Sequence, residues 1–152
     1  MQMQQLLAPS RVIVDMAVDD KKAVLSQMAE ILAADLPDVS AGEILQVFKE
    51  REQLGTTGIG QGIAIPHGKL VGITTPMAAL ARVSGGIDFD AMDGKSVHLV
   101  MALLSPLGSS VPHLKALSSI SRLLRSQASR DRLLAASDAQ ALFEATLAFN
   151  EE

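Results

Sequence analysis

Residues 55–68 read GTTGIGQGIAIPHG, and the stretch changes character halfway along. Five of its fourteen positions are glycine, which removes the steric bar to positive φ and to close backbone approach. An Ile-Ala-Ile run at 63–65 follows and is stopped by Pro66. A loop that feeds a short buried strand is the predicted structure, because Pro interrupts a ladder and Gly brackets it. Upstream, RVIVDM at 11–16 is β-branched and short, which suits another strand. From Asp20, the apolar positions Val24, Met28, Ile31 and Leu32 form a helical stripe that stops around Leu36-Pro37. Ser40 and Glu43 match a capping box for a second helix, with Ile44, Leu45, Val47 and Phe48 on its apolar face as far as about Glu52.

Downstream, MAALARV at 77–83 and VHLVMALL at 97–104 read as strands, separated by the turn-rich GGIDFDAMDGK. After Pro106-Leu107-Gly108 the pattern becomes helical, with Leu114, Leu117, Ile120, Leu123 and Leu124 on one face, then Leu133 and Leu134, then Leu142, Phe143 and Leu147. Ser137 and Gln140 repeat the capping-box spacing before the last helix. Four or five strands with helices on the sheet faces make a one-domain layered α/β arrangement.

Composition narrows the chemistry. A chain of 152 residues with 48% apolar content has the size and core of one ordered domain. It has four Phe and neither Trp nor Tyr, so platforms for stacking bases or sugars are scarce. A formal charge of −4 is the wrong sign for a phosphate-backbone binder, and no nucleic acid partner is expected. Without Cys there is no disulfide, thiol nucleophile or zinc-thiolate site. The opening MQMQQLLAPS lacks the basic and apolar regions of a signal peptide, which predicts a cytoplasmic protein. Leu99 to Leu104 is the longest strongly apolar run, far short of the roughly 20 residues of a membrane span, so the chain is not expected to be membrane-embedded.

Two nucleotide fingerprints fail on single residues. Gly94-Lys95-Ser96 ends like a phosphate-binding loop, but Phe89 stands where its first Gly belongs; Gly58-x-Gly60 lacks a third Gly because residue 63 is Ile. His67 is the more informative residue. It lies between a stiff Pro66 and a permissive Gly68 at the end of an apolar run, a placement that delivers a neutral imidazole to an exposed strand end as nucleophile, base or ligand. The plainer reading is a surface turn histidine. His98 falls inside an apolar strand, where a satisfied sheet histidine is the simpler account. His113 follows Pro112 at a helix start, where the positive end of the dipole favours the neutral ring, or where it serves as a first-turn residue. These three lack the spacing of common metal motifs, and neither metal nor cofactor is expected. Arg51, in the run Lys49-Glu50-Arg51-Glu52, stands at the entry to the Gly loop and could fork onto phosphate oxygens, although such runs are ordinarily solvated. Lys115, Arg122, Arg125, Arg130 and Arg132 give the late helices a basic surface, either a docking face or plain solvated charge.

The run EREQLGTTGIGQGIAIPHGKL at 50–70 resembles the signature of the IIA proteins of the bacterial phosphoenolpyruvate-dependent phosphotransferase system, in the fructose/mannitol/nitrogen superfamily. IDFDAMDGKSVHLVMALLSP at 87–106 and HLKALSSISRLLR at 113–125 resemble its later strands and helix, and Pro-His-Gly-Lys-Leu looks like the nitrogen-regulatory branch. The resemblance implies a single EIIA type-2 domain over residues 1–152 with a core of about 6–148, folded as a three-layer α/β/α structure with a mixed sheet. It further implies a phosphoryl group carried on His67, at Nε2, with His113 as the second active-site histidine and Arg51 and Thr57 as donors to the phosphoryl oxygens. The implied partners are a phosphorylated HPr-like carrier protein and regulated transporter or kinase proteins, with the chain a monomer or weak homodimer. One departure is His98, where the family commonly has Asp. Three other functions compete: a sugar-specific IIA that hands phosphate to a IIB partner, a non-catalytic regulatory binding module, and, more distantly, a metal-dependent hydrolase.

Overall fold

In the computed structural model, which describes residues 1–149, the chain runs α1 (Met3–Leu6), β1 (Val12–Ile13), α2 (Lys21–Ala33), α3 (Ala41–Gln53), β2 (Gly58–Gly60), β3 (Ile63–Ala64), β4 (His67–Leu70), β5 (Met77–Ile87), β6 (Val97–Pro106), α4 (Ser110–Arg125), α5 (Gln127–Ala135) and α6 (Ala139–Leu147). Strands β5 and β6 form an antiparallel pair at the centre of one six-stranded mixed sheet. β1 pairs parallel with β5, while β3 and β4 pair parallel with β6 at successive positions, Leu99–Val100 and Leu103–Pro106. β2 closes the β3 edge as a short hairpin.

The continuous apolar run of β6 follows from burial on both faces. Val100, Ala102 and Leu104 pack with Val24, Met28, Leu32, Ile44 and Phe48 of α2 and α3. Leu99, Met101 and Leu103 point the other way, into Ile120, Leu123, Leu124, Leu133 and Leu142 of α4, α5 and α6. The result is the single-domain α/β/α sandwich that the resemblance implied. Six strands replace the expected four or five because β2 and β4 are only three and four residues long, too short to show an alternation. β1 shrinks to two residues, and Asp15 just beyond it sits at a left-handed φ of 53°.

Helix termini needed two corrections. Ser40 caps α3 as expected, but Glu43 completes the contact with its carboxylate on the Ser40 hydroxyl rather than on the backbone. The cap of α6 is Asp138, whose carboxylate accepts from the Ala141 N–H, and not Ser137; Gln140 instead bonds Glu144 along the helix. The expected apolar faces are also narrower, since Leu114 is 62% exposed and Leu134 and Leu147 are exposed too. Arg130 leaves the basic surface altogether. Its buried guanidinium donates to the carbonyls of Leu124 and Arg125 and so ties the end of α4 to α5. No helix among the described residues is long and apolar enough to cross a membrane.

Candidate functional site

The site forms where β6 changes partner from β3 to β4. Pro66, lying between those two strands, has no N–H to donate; its carbonyl accepts from the Leu103 N–H, while the Ile65 N–H turns away to the Thr57 carbonyl. The Ile65 carbonyl is thereby left to His67, whose Nδ1 lies 2.7 Å from it. A carbonyl oxygen only accepts, so Nδ1 carries the proton and Nε2 keeps its lone pair. Arg51, in the last turn of α3, donates its Nε–H to that Nε2 at 3.3 Å and an Nη1–H to the Gly55 carbonyl at 2.9 Å.

Gly68 has a different use from the permissive turn expected of it. Its φ is not in the left-handed region, but a Cβ there would stand 2.2 Å from Val47 Cγ1. The missing side chain lets α3 lie close on β4, which brings Arg51 to His67. His113 arrives from the first turns of α4, buried, with its ring centroid 5.7 Å from that of His67 and the planes tilted by 42°. Its Nδ1 lies 2.6 Å from the hydroxyl of Ser105, a fully buried residue of β6.

Both rings favour the neutral form. Burial lowers the His67 pKa below the ordinary imidazole value of 6.5, and Arg51 adds to the effect, against the raising influence of the Ile65 carbonyl and of Glu52. Burial likewise lowers His113, with the charges of His67 and Lys69 acting in the same direction. The neutral ring expected from its place at a helix start is thus favoured, with desolvation as the largest cause.

Thr57 is buried beside the site, but its hydroxyl donates to the Glu52 carboxylate, as does its N–H. Glu52 also pairs with Lys21 at 2.7 Å, and the Lys21 ammonium lies 4.8 Å from the centre of the Phe89 ring. Sequence reasoning missed Glu52 and treated its run as solvated charge. A carboxylate in the last turn of a helix opposes the dipole, and that mismatch was the available sign of a specific partner. Ser105 was missed as well, hidden in an apolar strand. A cavity of about 190 Å³ opens beside His67, lined by Arg51, Thr57, Ile65, Ser121 and Arg125 among others. His98 is not part of it. Its Nδ1 meets the Val83 carbonyl at 3.1 Å, and its ring fills the space above Gly86, where the β5–β6 register shifts. Among the described residues no three His, Asp or Glu side chains converge as metal ligands.

A neutral imidazole with a free lone pair, a guanidinium at that lone pair and a second neutral ring nearby make a nucleophile suited to an anionic electrophile such as a phosphoryl group. The family model described as phosphoenolpyruvate-dependent sugar phosphotransferase system, EIIA 2, matches residues 5–148. A nitrogen regulatory protein of Bradyrhizobium diazoefficiens is 42% identical over 143 residues, covering 94% of this chain and 93% of that protein. A nitrogen regulatory protein of Pseudomonas aeruginosa is 40% identical over 142 residues, 93% and 92% of the two chains. The crystal structure of nitrogen regulatory protein IIA-Ntr from Neisseria meningitidis superposes with a TM-score of 0.89 at 31% identity, over 95% of this chain and 98% of that one. A match that runs through every element bearing the two histidines, in sequence and in fold, places this chain in the EIIA 2 family of the phosphoenolpyruvate-dependent phosphotransferase system.

Proposed function

We propose that the protein, a single phosphocarrier domain with its core at about residues 6–148, acts in the cytoplasm in the nitrogen branch of the phosphotransferase system. It accepts a phosphoryl group on His67 Nε2 from a phosphorylated HPr-like protein and controls target proteins according to its phosphorylation state. The observation that carries this reading is the His67 hydrogen-bond pattern: the Ile65 carbonyl fixes the proton on Nδ1 and leaves Nε2 as the nucleophile.

In the unphosphorylated protein the Arg51 Nε–H rests on that lone pair. As the phosphoryl group arrives, Arg51 moves from the nitrogen to the phosphoryl oxygens, where its planar fork meets developing charge. Thr57 acts through Glu52, which holds the glycine loop in place, rather than as a direct donor. Exposed apolar side chains on the segments that carry the site, Leu54 after α3 and Leu107, Val111 and Leu114 near His113, suit a docking protein that keeps water from the N–P bond. The nitrogen branch is favoured by relatives that match over more than nine-tenths of both chains. Incubation with phosphoenolpyruvate and the upstream phosphorelay should label the wild type and leave His67→Ala unlabelled. Label retained in that variant, or full control of a target by it, would overturn the reading in favour of another acceptor or of a binding module.

A further inference from the structure

The Ser105–His113 contact decides more than where one ring lies. Ser105 is fully buried in β6, and among the described residues its hydroxyl has the His113 Nδ1, at 2.6 Å, as its sole hydrogen-bond partner. A hydroxyl and an imidazole nitrogen can share a proton in two ways. If Nδ1–H donated to Oγ, the serine proton would be left inside the sheet with no acceptor, which buried polar groups avoid. If Ser105 donates to Nδ1, both groups are satisfied at once. The second arrangement leaves the proton of the neutral His113 ring on Nε2.

We infer that Ser105 is a positioning residue that holds His113 as the Nε2–H tautomer, opposite to His67, so that one ring attacks the phosphoryl group while the other donates a hydrogen bond to it. This rests on the reading of His67 as the phosphoryl acceptor. Two backbone-anchored partners set the contrast: a carbonyl oxygen, which takes a proton from His67 Nδ1, and a hydroxyl, which gives one to His113 Nδ1. Neither choice requires a charge on either ring. During transfer the His67 Nε2 lone pair forms the new N–P bond as the donor's N–P bond breaks, and the departing imidazole keeps that electron pair. The donor's ring, protonated at its other nitrogen, departs as neutral imidazole while the Nδ1–H ring of His67 takes up the positive charge, so no proton leaves either ring of this chain. Two lone pairs facing one phosphoryl group would instead repel its oxygens at the second ring, and the two ring centroids stand only 5.7 Å apart.

The tautomers can be read without any phosphoryl donor. Two-bond ¹H–¹⁵N correlation spectra of the labelled full-length protein at about pH 8, where the rings are neutral, should show the proton on Nδ1 of His67 and on Nε2 of His113. Ser105→Ala should convert His113 to a mixture of tautomers, and Ser105→Thr, which keeps the hydroxyl, should restore the single form. With a phosphorylated HPr-like protein as donor, Ser105→Ala should lower the turnover rate of phosphoryl transfer to His67 roughly tenfold with KM changed by less than about twofold, because the contact is made to the group in flight. His113 protonated at Nδ1 in the wild type overturns the inference. So does a Ser105→Ala variant whose tautomer or transfer rate is unchanged. If the tautomers are as stated but the wild type takes no label at His67, the phosphoryl reading fails while Ser105 keeps its hold on His113.

Discussion

Arg51 shows how one side chain can serve two states. Its Nε–H rests on His67 Nε2, the nitrogen that reacts in the proposed function, and its Nη1–H on the Gly55 carbonyl, so the guanidinium is already oriented when that lone pair is needed elsewhere. A lysine could neutralise charge there but has no fork to span a carbonyl and a phosphoryl oxygen together. Arg51→Lys should therefore slow phosphoryl acceptance by His67 on the order of 10²-fold, as loss of an oriented transition-state donor does, with circular dichroism and melting unchanged. A rate within about threefold of wild type would mean that charge alone suffices. The sequence marked Arg51, His67 and His113 because their flanks were unusual: a loop entry, a Pro-Gly bracket, a helix start. Ser105 carried no such mark, since a serine in an apolar strand looks the same whether or not its hydroxyl meets an imidazole.

At the scale of elements, the site depends on how closely α3 lies on β4. The 2.2 Å that would separate a Gly68 Cβ from Val47 Cγ1 means that Gly68→Ala must displace the Val47 side chain or push the helix and strand apart. Overpacking of this kind costs about 1–3 kcal/mol. Urea denaturation should report that loss in Gly68→Ala and a partial recovery in the double variant with Val47→Ala, which removes the opposing methyl groups; no recovery would locate the strain elsewhere. Long elements were legible in advance because burial writes a period into them. The stripe Val24-Met28-Leu32 marks α2, and the run Leu99 to Leu104 marks β6. β2 and β4 were not legible, because they are held by their neighbours' backbones and spend their positions on Gly, Lys and His. Asp138 displaced Ser137 as a cap for a related reason: both are favoured cap residue types, and the sequence alone does not choose between neighbours.

For the molecule as a whole, two depressed imidazoles link the site to stability. Each has a folded pKa below its unfolded value near 6.5, so the unfolded state binds more protons as pH falls. Their contribution to stability is present above about pH 6.5 and is lost as pH falls through the folded values. Urea unfolding followed from pH 7.5 down to about 5 should show a steeper loss in the wild type than in a His67→Gln, His113→Gln double variant, since the carboxylates titrate alike in both. Equal slopes would show that the rings take up protons as readily folded as unfolded.

The change of partner along β6 also orders events in time. His67 is synthesised before Leu103, whose N–H fixes the Pro66 carbonyl, and before Ser105 and His113. A nascent chain that has emerged only through β4 thus has neither the Leu103 N–H that fixes the Pro66 carbonyl nor a second ring beside His67. The arrangement around His67 is complete only after β6 and the start of α4 have been translated, so under the proposed function an incomplete chain has no finished site at which to draw a phosphoryl group from the relay.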